Sequence, residues 1–186
     1  RHDNITDWAL KQFQQHYHPG RGRKPAAISK EAIFHYVYAV LHDPVYREKY
    51  ALNLKREFPR IPLYGSTVAH FEQWAAWGER LMALHIGYES VAPWPLQRTD
   101  TPDQRARDAK QAPAEAWYYK LGNRSAIDWV LDQHKEKKTK DPTIREKFDT
   151  YRFADHKERV IDLLARVVRV SVETVALVEA LRGGPR

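Results

Sequence analysis

The chain has 186 residues, of which 42% are hydrophobic, 12% aromatic and 30% charged, the balance of a folded, water-soluble domain with its own core and not of a disordered segment. It has no cysteine, which excludes a disulfide scaffold and thiolate zinc sites, and no run of about 18 apolar residues or signal-like N-terminus that would support membrane insertion or secretion. Thirty-one Lys and Arg against 24 Asp and Glu give a net charge of +7 and make a polyanion the expected macromolecular partner. The first residue is Arg1 and the single methionine is Met82, so an excised fragment is expected.

In chain order, Ile5, Trp8, Ala9, Phe13 and Tyr17 fall at helical spacing over residues 4 to 17, and His18-Pro19-Gly20 ends that helix. Residues 19 to 28 read as an exposed loop. Ser29 caps a second helix with a broad apolar stripe of Ile33, Phe34, Val37, Tyr38 and Leu41. Asp43-Pro44 is a cap followed by a first-turn proline and predicts a third helix through Tyr46, Tyr50, Leu54 and Phe58. Pro59 and Pro62 force an extended segment, after which Ser66 or Thr67 starts a fourth helix reaching Leu84 to Ile86. Trp74 on that helix is expected in the core.

From Gly87 to Gly122 the helical period is lost, and short strands are expected at Pro95–Arg98 and Ala116–Leu121, the second closed by a Gly122-Asn123 turn. Ser125 with Asp128 three residues later resembles a capping box for a helix carrying Ile127, Val130, Leu131 and His134, with Trp129 expected in the core. A short helix is expected after Pro142. Asp155 and Glu158 then cap a long last helix, Val160 to Leu181, stopped by Gly183-Gly184-Pro185. Inside it Val167 to Val172 alternates in the manner of a strand, and the length of the window decides for helix.

Catalytic motifs are not recognisable. The eight glycines make neither a P-loop nor a dinucleotide turn, the nine histidines make no His-Glu-x-x-His, and Asp43-Pro44-Val45-Tyr46 lacks the second proline of a base-flipping methyltransferase loop. Asp128 with His134, or Glu31 with His35, reads as a cap and a semi-buried histidine before it reads as an acid–base pair. The sharpest local feature is Pro19-Gly20-Arg21-Gly22-Arg23-Lys24-Pro25, similar to the AT-hook core that enters a narrow minor groove, although Lys24 intervenes before the proline. The bland alternative is a solvated loop.

The run Ile28 to Tyr50 (Ile-Ser-Lys-Glu-Ala-Ile-Phe-His-Tyr-Val-Tyr-Ala-Val-Leu-His-Asp-Pro-Val-Tyr-Arg-Glu-Lys-Tyr), with Leu54-Lys55-Arg56-Glu57-Phe58-Pro59-Arg60-Ile61-Pro62-Leu63, resembles the C-terminal specificity domain of Type ISP restriction-modification enzymes. The resemblance continues through Gly78-Glu79-Arg80-Leu81, Leu84-His85, Tyr88-Glu89, Gly122 to Trp129 and Val167 to Val175. It implies a bacterial, cytoplasmic polypeptide in which a nuclease, a helicase-like translocase and an adenine methyltransferase precede a domain that helps read target DNA. The Arg-Gly-Arg loop looks like an insertion relative to the family, and residues 98 to 113 follow its pattern poorly.

The expectation is therefore a predominantly helical α+β domain with a small β element in the middle of the chain. It comprises a single domain over 1–186, with a helical half over 1–89, an irregular stretch with short strands over 90–121 and a second helical half over 122–182. Its expected partners are double-stranded DNA and the methyltransferase and helicase domains of the same polypeptide, with no cofactor, no metal and no membrane. Arg21, Arg23, Lys24, Lys135, Lys137, Lys138 and Lys140 are the candidates for phosphate contact. Gln97, Arg98, Asn123 and Arg124 are the candidates for base contact. The alternative is a structural docking domain that packs on the methyltransferase without reading bases.

Overall fold

The computed structural model describes residues 3–18, 28–97, 108–136, 140–148 and 151–186. The chain divides into two compact units, one made of Arg1–Ile86 with Ala176–Arg186 and the other of Gly87–Val175. As expected, helices dominate and the β structure is a single two-stranded antiparallel sheet among the described residues.

In the first unit, helix α1 (Asp7–Tyr17) starts where the Thr6 hydroxyl accepts from the Ala9 N–H, and α2 (Lys30–His42) starts where Ser29 accepts from Ala32. Helix α1 buries Phe13 and Tyr17, one turn apart, whereas Trp8 is 71% exposed. At about 100° per residue Trp8 lies roughly 140° and 180° round the helix from those two, which takes it off the apolar face expected of it. Asp43 ends α2 and opens α3 (Pro44–Lys49), its carboxylate accepting from the N–H groups of Val45 at 3.1 Å and Tyr46 at 3.3 Å. The third helix stops nine residues short of Phe58, with only a 3₁₀ turn, Asn53–Lys55, beyond it. Leu52 and Phe58 face solvent, so no buried stripe compensates the cost of ordering further turns.

Helix α4 (Val68–Ile86) begins at Thr67, whose hydroxyl accepts from the His70 N–H at 3.3 Å. It lies so close to α2 that a Cβ on Gly78 would overlap the His35 carbonyl oxygen, and only glycine permits this approach. The core between them is aromatic: Tyr36 stacks on Phe71 at 5.5 Å, Phe13 meets Tyr36 edge-on at 5.3 Å, and Trp74 is fully buried as expected.

The extended segment after Pro59 has no strand beside it among the described residues, and tyrosine hydroxyls take the place of one. Tyr46 donates to the Arg60 carbonyl at 2.9 Å, Tyr36 to Pro62 at 2.8 Å and Tyr17 to Tyr64 at 2.8 Å, while the Tyr64 N–H donates back to the Tyr36 oxygen at 2.6 Å. The alternation of residues 60, 62 and 64 is the period of an extended chain. Gly183 to Arg186 folds onto the same core. Trp74 donates its indole N–H to the Pro185 carbonyl at 2.9 Å, and Arg186 pairs with the fully buried Asp43 at 2.8 Å. Tyr64 adds a hydroxyl to the other Asp43 oxygen at 3.2 Å, so this buried carboxylate is fully partnered.

In the second unit, the segment from Val91 to Gln97 is irregular, in place of the strand expected at Pro95–Arg98. Pro93 and Pro95 lack a donor, and the N–H groups next to them are used outside any strand ladder: Trp94 donates to the Ala165 carbonyl of the last helix at 3.0 Å and Leu96 closes a tight turn on Trp94 at 2.8 Å. The first half of the other expected strand lies in a 3₁₀ turn, Ala114–Tyr118, leaving β1 (Lys120–Leu121) to pair with β2 (Arg124–Ser125). Helix α5 (Ala126–Gln133) follows directly, then α6 (Pro142–Phe148) and α7 (Phe153–Arg182). The last helix starts seven residues before Val160, the first N–H donating to the Glu136 carboxylate at 2.9 Å. Its valine run is helical, because burial outweighs the modest β preference of those residues. Ile127, Val130, Leu164, Val167 and Val168 form the core, with Trp94, Leu96, Trp117 and Tyr119 packed on it. Trp129, contrary to expectation, is 48% exposed, since it lies roughly 200° round α5 from Ile127.

Candidate nucleic-acid interface

The hairpin β1–β2 is built by its turn. Leu121 pairs with Arg124, so Gly122 and Asn123 form a two-residue loop, and of the two only Gly122 has positive φ (67°), the pattern of a type II′ turn. A Cβ on Gly122 would meet nothing within 4 Å, so the tip stands clear of the protein. Lys120, Asn123 and Arg124 are exposed around it.

The hairpin is fixed rather than free. Ser125 is both the last strand residue and the cap of α5: its hydroxyl oxygen accepts from the Asp128 N–H at 3.0 Å and its proton lies on the Asp128 carboxylate at 2.7 Å. The Ala126 N–H donates to the Tyr119 carbonyl at 3.0 Å, carrying the ladder into the helix. Arg124 reaches forward over α5, and its Nη1 donates to Asp132 in an ion pair whose side chains are 61% and 51% exposed. A pair in that much water contributes about 0–1 kcal/mol, so an anion arriving at the hairpin meets a guanidinium that is oriented but not locked.

The structure joins Asn123 and Arg124 on one hairpin. Lys135 is exposed just past the end of α5, a helix of eight residues and so about 12 Å long. Lys140 is exposed just before α6. Neither forms an ion pair with a described residue. Gln97 is not part of the hairpin; its main chain is clasped on both sides by the Gln111 amide at 2.8 Å and its own side chain is exposed. Arg21, Arg23, Lys24, Arg98, Lys137 and Lys138 lie outside the described residues.

Other arginines serve the fold instead. Arg166 pairs with Asp162 at 2.7 Å and donates to the Val91 carbonyl; Arg169 donates to the Ala92 carbonyl at 3.1 Å and lies over the Trp94 ring at 5.1 Å. Sequence reasoning names neither Lys120 nor the exposed Tyr118 as a site residue, assigns Trp129 to the core although it is exposed, and does not give Asp132 as the partner of Arg124. The Gly-Asn turn could have pointed to Lys120, because a two-residue loop places the strand residues on both sides of it at the same tip.

No curated protein matches this chain. Among solved structures, it is similar to a chain of the cryoEM structure of a DrdV–DNA complex, with 58% identity over 95% of this chain and 20% of the other, at a TM-score of 0.75. It is also similar to a nuclease-deletion mutant of the Type ISP restriction-modification enzyme LlaGI in complex with a DNA substrate mimic, with 27% identity over 89% of this chain and 15% of the other, at a TM-score of 0.58. The chain thus spans a fifth or less of the length of these relatives. The profile of the Type ISP C-terminal specificity domain matches residues 1–112 and 108–163, most of both units, so the fold and the hairpin described above are those of a member of the Type ISP C-terminal specificity domain family.

Proposed function

We propose that this domain helps recognise double-stranded DNA for an adenine methyltransferase and a helicase-like translocase on the same bacterial, cytoplasmic polypeptide, and performs no chemistry of its own. The observation that carries this reading is the 58% identity to a chain solved with DNA. Asn123 and Arg124 on the hairpin, with Gln97 and Arg98, read base edges. Arg21, Arg23, Lys24, Lys135, Lys137, Lys138 and Lys140 meet phosphates, and Lys120 joins them. The whole chain acts as one specificity domain.

The test is a titration of the chain on duplex DNA at two salt concentrations, repeated after the charge reversals Lys137→Glu and Lys138→Glu. Each phosphate that is no longer neutralised should flatten the slope of log affinity on log salt by about 0.9. Unchanged affinity and slope would remove this patch from the interface. A second reading, docking on the methyltransferase without base contacts, is favoured by Phe58, which is 95% exposed, and by Trp8 and Leu52 beside open solvent. A chain that shows no preference among duplex sequences would leave docking as the better account.

A further inference from the structure

We infer that Asp132 is a positioning residue for base reading: it holds Arg124 by one end of the guanidinium so that the free fork is aimed at the edge of a guanine in duplex DNA. The inference rests on the DNA-recognition reading and adds to it the regulation of one contact. Among described residues the Arg124 side chain is bonded only through Nη1, to Asp132. The donors on Nε and Nη2 remain, and side by side they form the planar fork that matches the O6 and N7 acceptors of guanine in the major groove.

The support beneath the pair is rigid at both ends. Arg124 sits on a paired strand next to a two-residue turn, and Asp132 sits on a helix anchored by the buried Ile127 and Val130 and capped by Ser125. Asp128, the other carboxylate on the exposed side of α5, is already engaged by the Ser125 hydroxyl and does not compete for the arginine. A guanidinium held this way loses less side-chain freedom when a base pair arrives. The pair is too exposed for fold stability to be its main effect.

The test is selection of bound sequences from a randomised duplex pool by the full chain, wild type and variants, with thermal unfolding of each. Arg124→Ala should relax one G·C position in the selected motif, by on the order of tenfold in preference. Asp132→Ala should relax the same position. Its affinity for a duplex lacking the motif should be unchanged or tighter, because a negative charge has gone. Asp132→Asn keeps an acceptor and should restore part of the preference. The inference is overturned if Asp132→Ala leaves intact the position that Arg124→Ala relaxes, or if it weakens binding to all duplexes alike together with a lower Tm. A wild-type chain that selects no motif would overturn it too, and in that case the DNA-recognition reading falls with it.

Discussion

Both units hold a proline-broken extended segment against helices, and they do so with opposite chemistry. In the first, the carbonyls of Arg60, Pro62 and Tyr64 are taken by neutral tyrosine hydroxyls. In the second, the carbonyls of Val91 and Ala92 are taken by the guanidinium groups of Arg166 and Arg169. The tyrosines are buried and arrive from three helices. The arginines come from one helix, three residues apart, and stay partly in water. Burial pushes the Tyr36 and Tyr17 hydroxyls up from their ordinary range, and burial together with the Asp43 carboxylate pushes Tyr64 up to about 12. Their protons therefore stay in place across any pH at which the protein is handled. A hydrated arginine that lets go of its carbonyl leaves both groups to water, whereas a buried tyrosine that is removed strands its carbonyl, so similar hydrogen bonds carry unequal consequences.

The largest break in that comparison is expected from Tyr36→Phe. It removes the donor to Pro62 and the acceptor for the Tyr64 N–H, and two half-buried backbone groups left unpaired cost about 2–4 kcal/mol in total, read as a lower denaturation midpoint. Acid is expected to act next, on the first unit. His85 accepts from or donates to the Tyr38 hydroxyl at 2.7 Å, and burial, then the neighbouring His42, hold its pKa down to about 4; burial also lowers His42. The unfolded chain takes up protons near pH 6.5 while the folded one resists, so stability is full above that value and erodes as pH falls towards 4. Amide exchange at about pH 7 and about pH 4.5 should show faster opening in α2 and α4 at the lower pH, and His85→Gln should lessen the difference. The smallest effect is expected from Arg169→Met, which keeps much of the apolar stem on Trp94 and gives up partly solvated bonds, for a loss of about 1 kcal/mol or less. A loss equal to that of Tyr36→Phe would erase the distinction between the two segments.

Local chemistry is legible in the sequence. Thr67, Ser29, Asp43-Pro44 and Ser125 all open the helices expected of them, because a cap needs only a side chain and an N–H two or three residues away. Pairings across the chain are not. Tyr46 with Arg60, Tyr36 with Pro62 and Tyr17 with Tyr64 are 14, 26 and 47 residues apart, and nothing in a tyrosine's spacing says which carbonyl it will meet. Trp8 and Trp129 show a related limit: hydrophobicity places a residue near an apolar face, while the helix turn decides which side it occupies. The site divides in the same way. Gly122-Asn123 announces a turn and so brings Asn123 and Arg124 together, but Arg124 and Asp132 meet only because a strand runs straight into a helix.

The tyrosine-bound segment has one further effect. A stretch of extended backbone is ordinarily a template on which another chain can grow, the first step towards edge-to-edge aggregation. Here the side facing the helices is saturated by hydroxyls, and Pro59 and Pro62 bring no amide hydrogen of their own, so a segment shaped like a strand is kept from recruiting a neighbour there.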